Sequence, residues 1–160
     1  MKHIILLIVF GAFLSGCAST PSPEKICTTE WIAPRANHAI DRLETKTSKA
    51  VKTLKKAGVA LLEGRKPGMF TMMRLSSAFE DIKYEFTDGP AMQDLKTLAK
   101  TCNNSEVITK SMRQVFENQG VSDKLLNFME SLPLYQDIIR ENLRDLAESS
   151  AAERAQSNVY

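Results

Sequence analysis

Histidine is nearly missing from this sequence, with His3 and His38 the only two in 160 residues. A serine-type hydrolase takes its general base from histidine, and neither Gly-x-Ser-x-Gly nor His-Glu-x-x-His occurs. Cysteine is as sparse: three residues and no Cys-x-x-Cys leave a zinc site without its usual ligand spacing. A glycine-rich phosphate loop is also lacking. Gly64-Arg65-Lys66-Pro67-Gly68 has glycines and cations, but its proline removes a backbone donor and its spacing is wrong, so it reads as a turn. Charge of one sign is not in excess either. With 21 Lys and Arg against 19 Asp and Glu, the net charge is +2, which argues against nucleic acid as a partner. Finally, no segment sustains strand alternation with turn residues on both sides, which excludes a β-rich fold.

What is present begins at the N-terminus. Lys2 and His3 are followed by Ile4 to Leu14 without a charge, and then by Leu14-Ser15-Gly16-Cys17. A positive start, a short apolar run and small residues before a cut site are the marks of a signal peptide. The run is too short to cross a hydrocarbon core, which takes about 20 apolar residues. Leu14-Ser15-Gly16-Cys17 resembles the lipobox of bacterial prolipoproteins. That resemblance implies a diacylglycerol on the Cys17 thiol, cleavage before Cys17 and acylation of the new amine. Two or three acyl chains hold firmly where one binds marginally, at about 0.8 kcal/mol per buried methylene. Ala18 stands where related lipoproteins retained in the inner membrane carry aspartate, so the resemblance further implies the inner leaflet of an outer membrane, facing the periplasm.

The expected organisation is a signal peptide over 1–16, the lipidated cysteine and a linker over 17–30, a helical domain over 31–148 and a polar, fraying tail over 149–160. The linker, Ala-Ser-Thr-Pro-Ser-Pro after Cys17, is polar and proline-bearing. From Cys17 to Cys27 it reaches at most about 35 Å, which keeps the domain close to the lipid surface. Cys27 and Cys102 remain as a pair in an oxidising compartment, and a disulfide between them is expected, with two free buried thiols as the alternative. On the chain-entropy model its loop of about 75 residues is worth roughly 4 kcal/mol.

Helical periodicity fills the domain. Between Pro34 and Gly64 a stripe runs through Ala36, Ile40, Leu43, Thr47, Ala50, Leu54, Ala57 and Leu61, with Pro34 suited to a first helical position and Gly64 to a C-terminal cap. A second helix is expected from Met69 to Phe86, with Phe70, Met73, Phe79, Ile82 and Phe86 on or near one face. A third runs from Pro90 to Thr101 and places Cys102 at its end. Asn103 or Asn104 caps a fourth, with Glu106 completing a capping box, and Gly120 ends it. Ser122 caps a fifth, and Pro133 either kinks that helix or begins another through Ile138, Ile139, Leu143 and Leu146. The fold class is therefore all-α: a compact bundle of five or six helices, one long N-terminal helix followed by shorter ones, with one disulfide.

Several residue patterns invite a chemical reading. His38 reads as a solvated helix-surface histidine. Glu80 and Glu85 have the residue type for carboxylate-only cleavage of peptidoglycan, which needs one carboxyl in an apolar pocket and a second nearby. Yet Glu80, Asp81, Lys83 and Glu85 read better as the wet side of an amphipathic helix. Arg42, Lys46, Lys49, Lys52 and Lys56 fall within about 120° of arc on the long helix, a candidate contact with anionic lipid head groups, worth about 1 kcal/mol per residue, or else a plain solvated face. Met69, Met72, Met73, Met92, Met112 and Met129 read mainly as core, although Met72 and Met73 cannot both point inward.

The expectation drawn from these features is a membrane-anchored envelope lipoprotein. It is non-catalytic and needs no cofactor beyond the covalent lipid on Cys17. Its expected partners are the membrane, through the anchor, and another envelope protein, as for an assembly factor. A binder of lipid or a small apolar molecule is the alternative, and a peptidoglycan enzyme ranks below both. The layout is similar to that of the helical, disulfide-bonded pilotin lipoproteins, which hold an amphipathic helix of their secretin in a groove. That likeness is one of architecture and carries no residue across.

Overall fold

The computed structural model describes residues 25–66 and 68–157. The signal peptide, Cys17 and most of the linker lie outside the described residues. The described chain forms six helices: α1 (Thr29–Leu62), α2 (Met69–Thr87), α3 (Pro90–Thr101), α4 (Glu106–Asn118), α5 (Asp123–Glu130) and α6 (Pro133–Ser157). The all-α bundle with one long leading helix is as the periodicity indicated.

α1 is the spine. Its buried side carries Ala36, Ala39, Ile40, Leu43, Thr47, Ala50, Val51, Leu54, Ala57 and Gly58, a continuous helical stripe against which α2, α3, α4 and α5 all pack. It begins five residues before Pro34, because the Thr28 carbonyl accepts from Trp31 N at 3.0 Å and Ile32 N at 2.9 Å. Pro34 thus sits inside the helix rather than at its first position. It falls near enough to the N-terminus to forfeit one backbone bond only.

Three helices end alike. Arg65 N donates to Ala60 O, Asn104 N to Ala99 O and Val121 N to Phe116 O, each after a left-handed residue: Gly64 (φ 73°), Asn103 (φ 45°) and Gly120 (φ 70°). These are Schellman closures, and asparagine is among the few non-glycine residues that tolerate the left-handed region. The expected roles of Asn103 and Asn104 are therefore divided. Asn103 stops α3, while Asn104 Oδ1 accepts from Glu106 N at 3.1 Å and starts α4. The capping box does not form, since the Glu106 carboxylate turns to Lys110 at 2.7 Å. Pro90 opens α3 and Pro133 opens a separate α6.

Phe86 and Phe116 stack at the centre with ring centroids 5.3 Å apart, and Tyr135 lies 6.3 Å from Phe116. Met92, Leu95, Ile108, Met112 and Leu126 are fully buried around them. The disulfide is formed: Cys27 and Cys102, with Cα atoms 5.2 Å apart, bind the lead-in of α1 to the end of α3. Polar clips finish the packing. Lys55 Nζ donates to Gln119 O at 2.8 Å, fixing the C-terminal end of α4 on α1, and Gln119 Nε2 donates to the buried Thr47 hydroxyl at 3.0 Å.

One expectation is corrected. Phe70 and Met73 do not share the inward face of α2. They are 81% and 64% exposed, while Leu75, Ala78, Ile82 and Phe86 face the core. At 100° per residue Phe70 and Met73 point about 140–160° away from Leu75. At the C-terminal end, α6 continues through 149–157 to Ser157.

Candidate binding groove

α6 packs on α2, α3 and α5 but scarcely meets α4. An open cleft is left between them. Its first section, about 510 Å³, has a floor of Tyr135, Ile139 and Leu143 on α6, with Thr109, Lys110 and Arg113 of α4 as the facing wall. A second section of about 490 Å³ begins at the same Leu143 and runs past Leu146, Ala147 and Ser150 along the α3–α4 turn. Tyr135, Ile139, Leu143, Leu146 and Ser150 recur at helical spacing, and all are half-buried. From Tyr135 to Ser150 the floor is about 22 Å long, the length of a four-turn helix.

The rim is polar and mostly cationic. Arg113 bonds to Glu117 at 2.7 Å and Glu130 at 2.6 Å, which push its guanidinium pKa further up. Lys110 pairs with Glu106, and the Lys110 ammonium holds the Glu106 carboxyl below its usual range. Arg140, on the opposite wall, pairs with Asp137 at 3.0 Å. Exposed pairs such as those of Lys110 and Arg140 are screened by solvent and contribute little, so an incoming carboxylate exchanges with them easily. Burial pushes the Tyr135 phenol up to about 12, Glu130 adds to the rise and Arg113 opposes it. The tyrosine thus stays neutral and serves as an apolar floor.

The groove was not singled out from sequence, where Ile139, Leu143 and Leu146 read as core. A signal was there nonetheless. From Ile138 to Leu143 the apolar residues of α6 cover about 140° of arc, more than the stripe of roughly 100° that one buried face needs.

The residues proposed from sequence are placed as follows. Cys27 and Cys102 meet in the disulfide, and Cys17 lies outside the described residues. In the cationic set on α1, Arg42 is drawn sideways into an ion pair with Asp94 of α3. Lys46, Lys49, Lys52 and Lys56 are exposed and pair with no carboxylate among the described residues. His38 is exposed beside Asp94 and Thr97, in a shallow depression with Trp31 and Arg35. Glu80 is exposed and Glu85 half-buried, and they diverge by about 140° around α2, so the two carboxylates do not face one substrate. Of the six methionines weighed, Met92, Met112 and Met129 are core, whereas Met69, Met72 and Met73 are exposed.

Among the described residues no three His, Cys, Asp or Glu side chains converge as metal ligands, and no helix is long and apolar enough to cross a membrane. Compared with known protein families, curated proteins and solved structures, the chain matches none.

Proposed function

We propose that this protein is a lipoprotein of the cell envelope, tethered through an acylated Cys17, that acts without catalysis by holding an amphipathic helix of a partner protein in the α4–α6 groove. The observation that carries the binding reading is the shape of that groove: a floor about four helical turns long, apolar from Tyr135 to Leu146 and polar beyond it at Ser150, open to solvent and bordered by exchangeable ion pairs. An amphipathic helix matches such a channel by laying its i, i+3, i+4 and i+7 residues on the floor. The cations Lys110, Arg113 and Arg140 favour carboxylates on the flanks of the incoming helix.

A lipid held inside the bundle has less support. The interior apolar void, among Leu54, Phe79, Phe116, Met129 and Ile138, measures about 20 Å³. That is room for about one water and far too little for an acyl chain. The tether reading rests on Leu14-Ser15-Gly16-Cys17 and on the disulfide between Cys27 and Cys102, a bond that persists in oxidising compartments.

A photo-crosslinking residue in place of Ile139, introduced in the native cells, tests the proposal. The expected result is one discrete protein adduct whose crosslinked peptide is an amphipathic helix, lost on Leu143→Glu and absent when the crosslinker replaces the exposed Ser48. Adducts to phospholipid alone, or no adduct from position 139, would overturn it.

A further inference from the structure

We propose that the tip of the α1–α2 hairpin, from Val59 to Arg74, is a membrane-docking element that inserts its apolar side chains into a bilayer carrying anionic head groups. The proposal goes beyond the helix-binding groove, and it requires neither that groove nor the lipid on Cys17.

Apart from Leu62, which is half-buried against the core, the tip stands clear of the bundle. Gly58 is the last buried residue of α1, and the ideal position of a Cβ on it is occupied by Leu125 of α5. Leu75 is the first buried residue of α2, and between Val59 and Arg74 no described residue is buried. Four residues of α1 and six of α2 therefore project by roughly 6–9 Å, which matches the ~5–10 Å to which interfacial helices sink their apolar faces.

Its composition suits lipid. Met69 is 79% and Phe70 81% exposed, and Met72, Met73, Val59 and Leu61 are also open to solvent. They account for most of the exposed large hydrophobic side chains among the described residues. Such a concentration marks an interaction site, since a soluble surface carries large apolar residues singly.

Charge selects the occupant. Residues 45–79 hold eight lysines and arginines but a single acid, Glu63, whereas the whole chain has a net charge of only +2. The rest of the chain therefore has five more acids than cations. Glu63 is itself engaged by Arg65. An anionic surface attracts the hairpin end and repels the remainder, so it orients the molecule as well as binding it. A second copy is disfavoured, because a two-fold contact would set one cationic tip against another. Lys66 and Arg74 flank the apolar residues, and stems of this kind lie along apolar surface while the charges reach phosphate.

The test uses the full chain with Phe70→Trp and Trp31→Phe, so that position 70 carries the only tryptophan. It is mixed with phosphatidylcholine vesicles with or without phosphatidylglycerol, the lipids bearing bromine on their acyl chains. The expected result is a blue shift and loss of most emission in the phosphatidylglycerol vesicles only. Lys66→Gln with Arg74→Gln should lower the inserted-to-free ratio roughly thirty-fold, taking about 1 kcal/mol per cation. Met73→Trp gives the same reading from a second position, and unchanged circular dichroism certifies each variant as folded. Unquenched emission in both vesicles, or equal quenching without phosphatidylglycerol, would overturn the proposal. So would a blue shift without quenching, which would place position 70 against protein, either an acidic partner or a second copy.

Discussion

Asn142, wholly buried on α6, donates an amide hydrogen to the Phe86 carbonyl at 2.8 Å across the bundle and the other to Ile138 O at 2.9 Å. Phe86 lies in the last turn of α2, where carbonyls lose their intrahelical partners. Its neighbour Thr87 O is met by Lys96 Nζ at 3.0 Å and Gln93 Nε2 at 3.1 Å, and Lys96 reaches on to Asp145 of α6 at 2.7 Å. The C-terminal end of α2 is thus closed by side chains of α3 and α6, which draws the three helices into one fixed arrangement.

Asn142→Leu is expected to destabilise the fold by about 1–3 kcal/mol, the usual cost of leaving a buried carbonyl unsatisfied. Part of that loss is recovered, because Asn142 Oδ1 has no partner of its own. Urea unfolding at neutral pH measures the change. An unaltered midpoint would show that the Phe86 carbonyl finds another donor.

Asn142 also illustrates what the sequence did and did not disclose. The caps at Gly64 and Gly120 and the helix start at Pro90 were legible, because each is a local device written in one or two residues. The disulfide was legible from cysteine arithmetic and the inferred compartment. The inward face of α2 was misread at Phe70 and Met73, because a periodic template counts every apolar residue as inward and does not know where the bundle ends. The groove was hidden for a related reason. Whether Ile139 and Leu143 are core or surface depends on how closely α4 approaches α6, a tertiary fact with no local signature. A lone asparagine within an apolar stripe likewise gives no hint of which carbonyl it will meet.

Removal of the disulfide is the next prediction. The sulfurs join residues 75 positions apart, and Cys27 lies in the left-handed region at φ 69°, which is unfavourable for a residue other than glycine. On the chain-entropy model the bond contributes about 4 kcal/mol, and relief of the Cys27 backbone returns about 1–2 kcal/mol of that. Cys27→Ala with Cys102→Ala should therefore cost roughly 2–3 kcal/mol in chemical unfolding. The oxidised wild type should become equal to the double variant once a strong reductant is added, and a persistent difference between them would argue against this partition.

Tyr135 predicts a pH dependence of stability. Burial raises its folded-state pKa to about 12, with Glu130 adding and Arg113 opposing, against about 10 for an unfolded tyrosine. Its contribution is complete below pH 10, where both states are protonated. It is lost as pH climbs from 10 towards 12, where only the unfolded chain ionises. About two pH units correspond to roughly 2–3 kcal/mol. Tyr135→Phe lacks this loss, so its stability relative to wild type should rise by that amount between pH 9 and 12. Parallel curves for the two proteins would place the phenol in water.

The proposed tether can be separated from the fold because the cysteines fall into two sets. Cys27 and Cys102 are consumed by each other, which leaves the thiol at position 17 without an intramolecular partner of its kind. Cys17→Ala should therefore leave the unfolding midpoint of the helical domain unchanged while abolishing incorporation of labelled palmitate. Membrane retention should fall steeply, because two or three acyl chains at about 0.8 kcal/mol per buried methylene far exceed what the cationic hairpin tip supplies. The remaining retention should be sensitive to salt, since it rests on exposed lysines and arginines screened over about 8–10 Å at physiological ionic strength. Wild-type protein should resist the same salt wash. If the alanine variant kept both its label and its salt resistance, the acylation site would lie elsewhere in the chain. If it kept the resistance without the label, neither an acyl chain nor the salt-sensitive hairpin tip would account for the membrane hold.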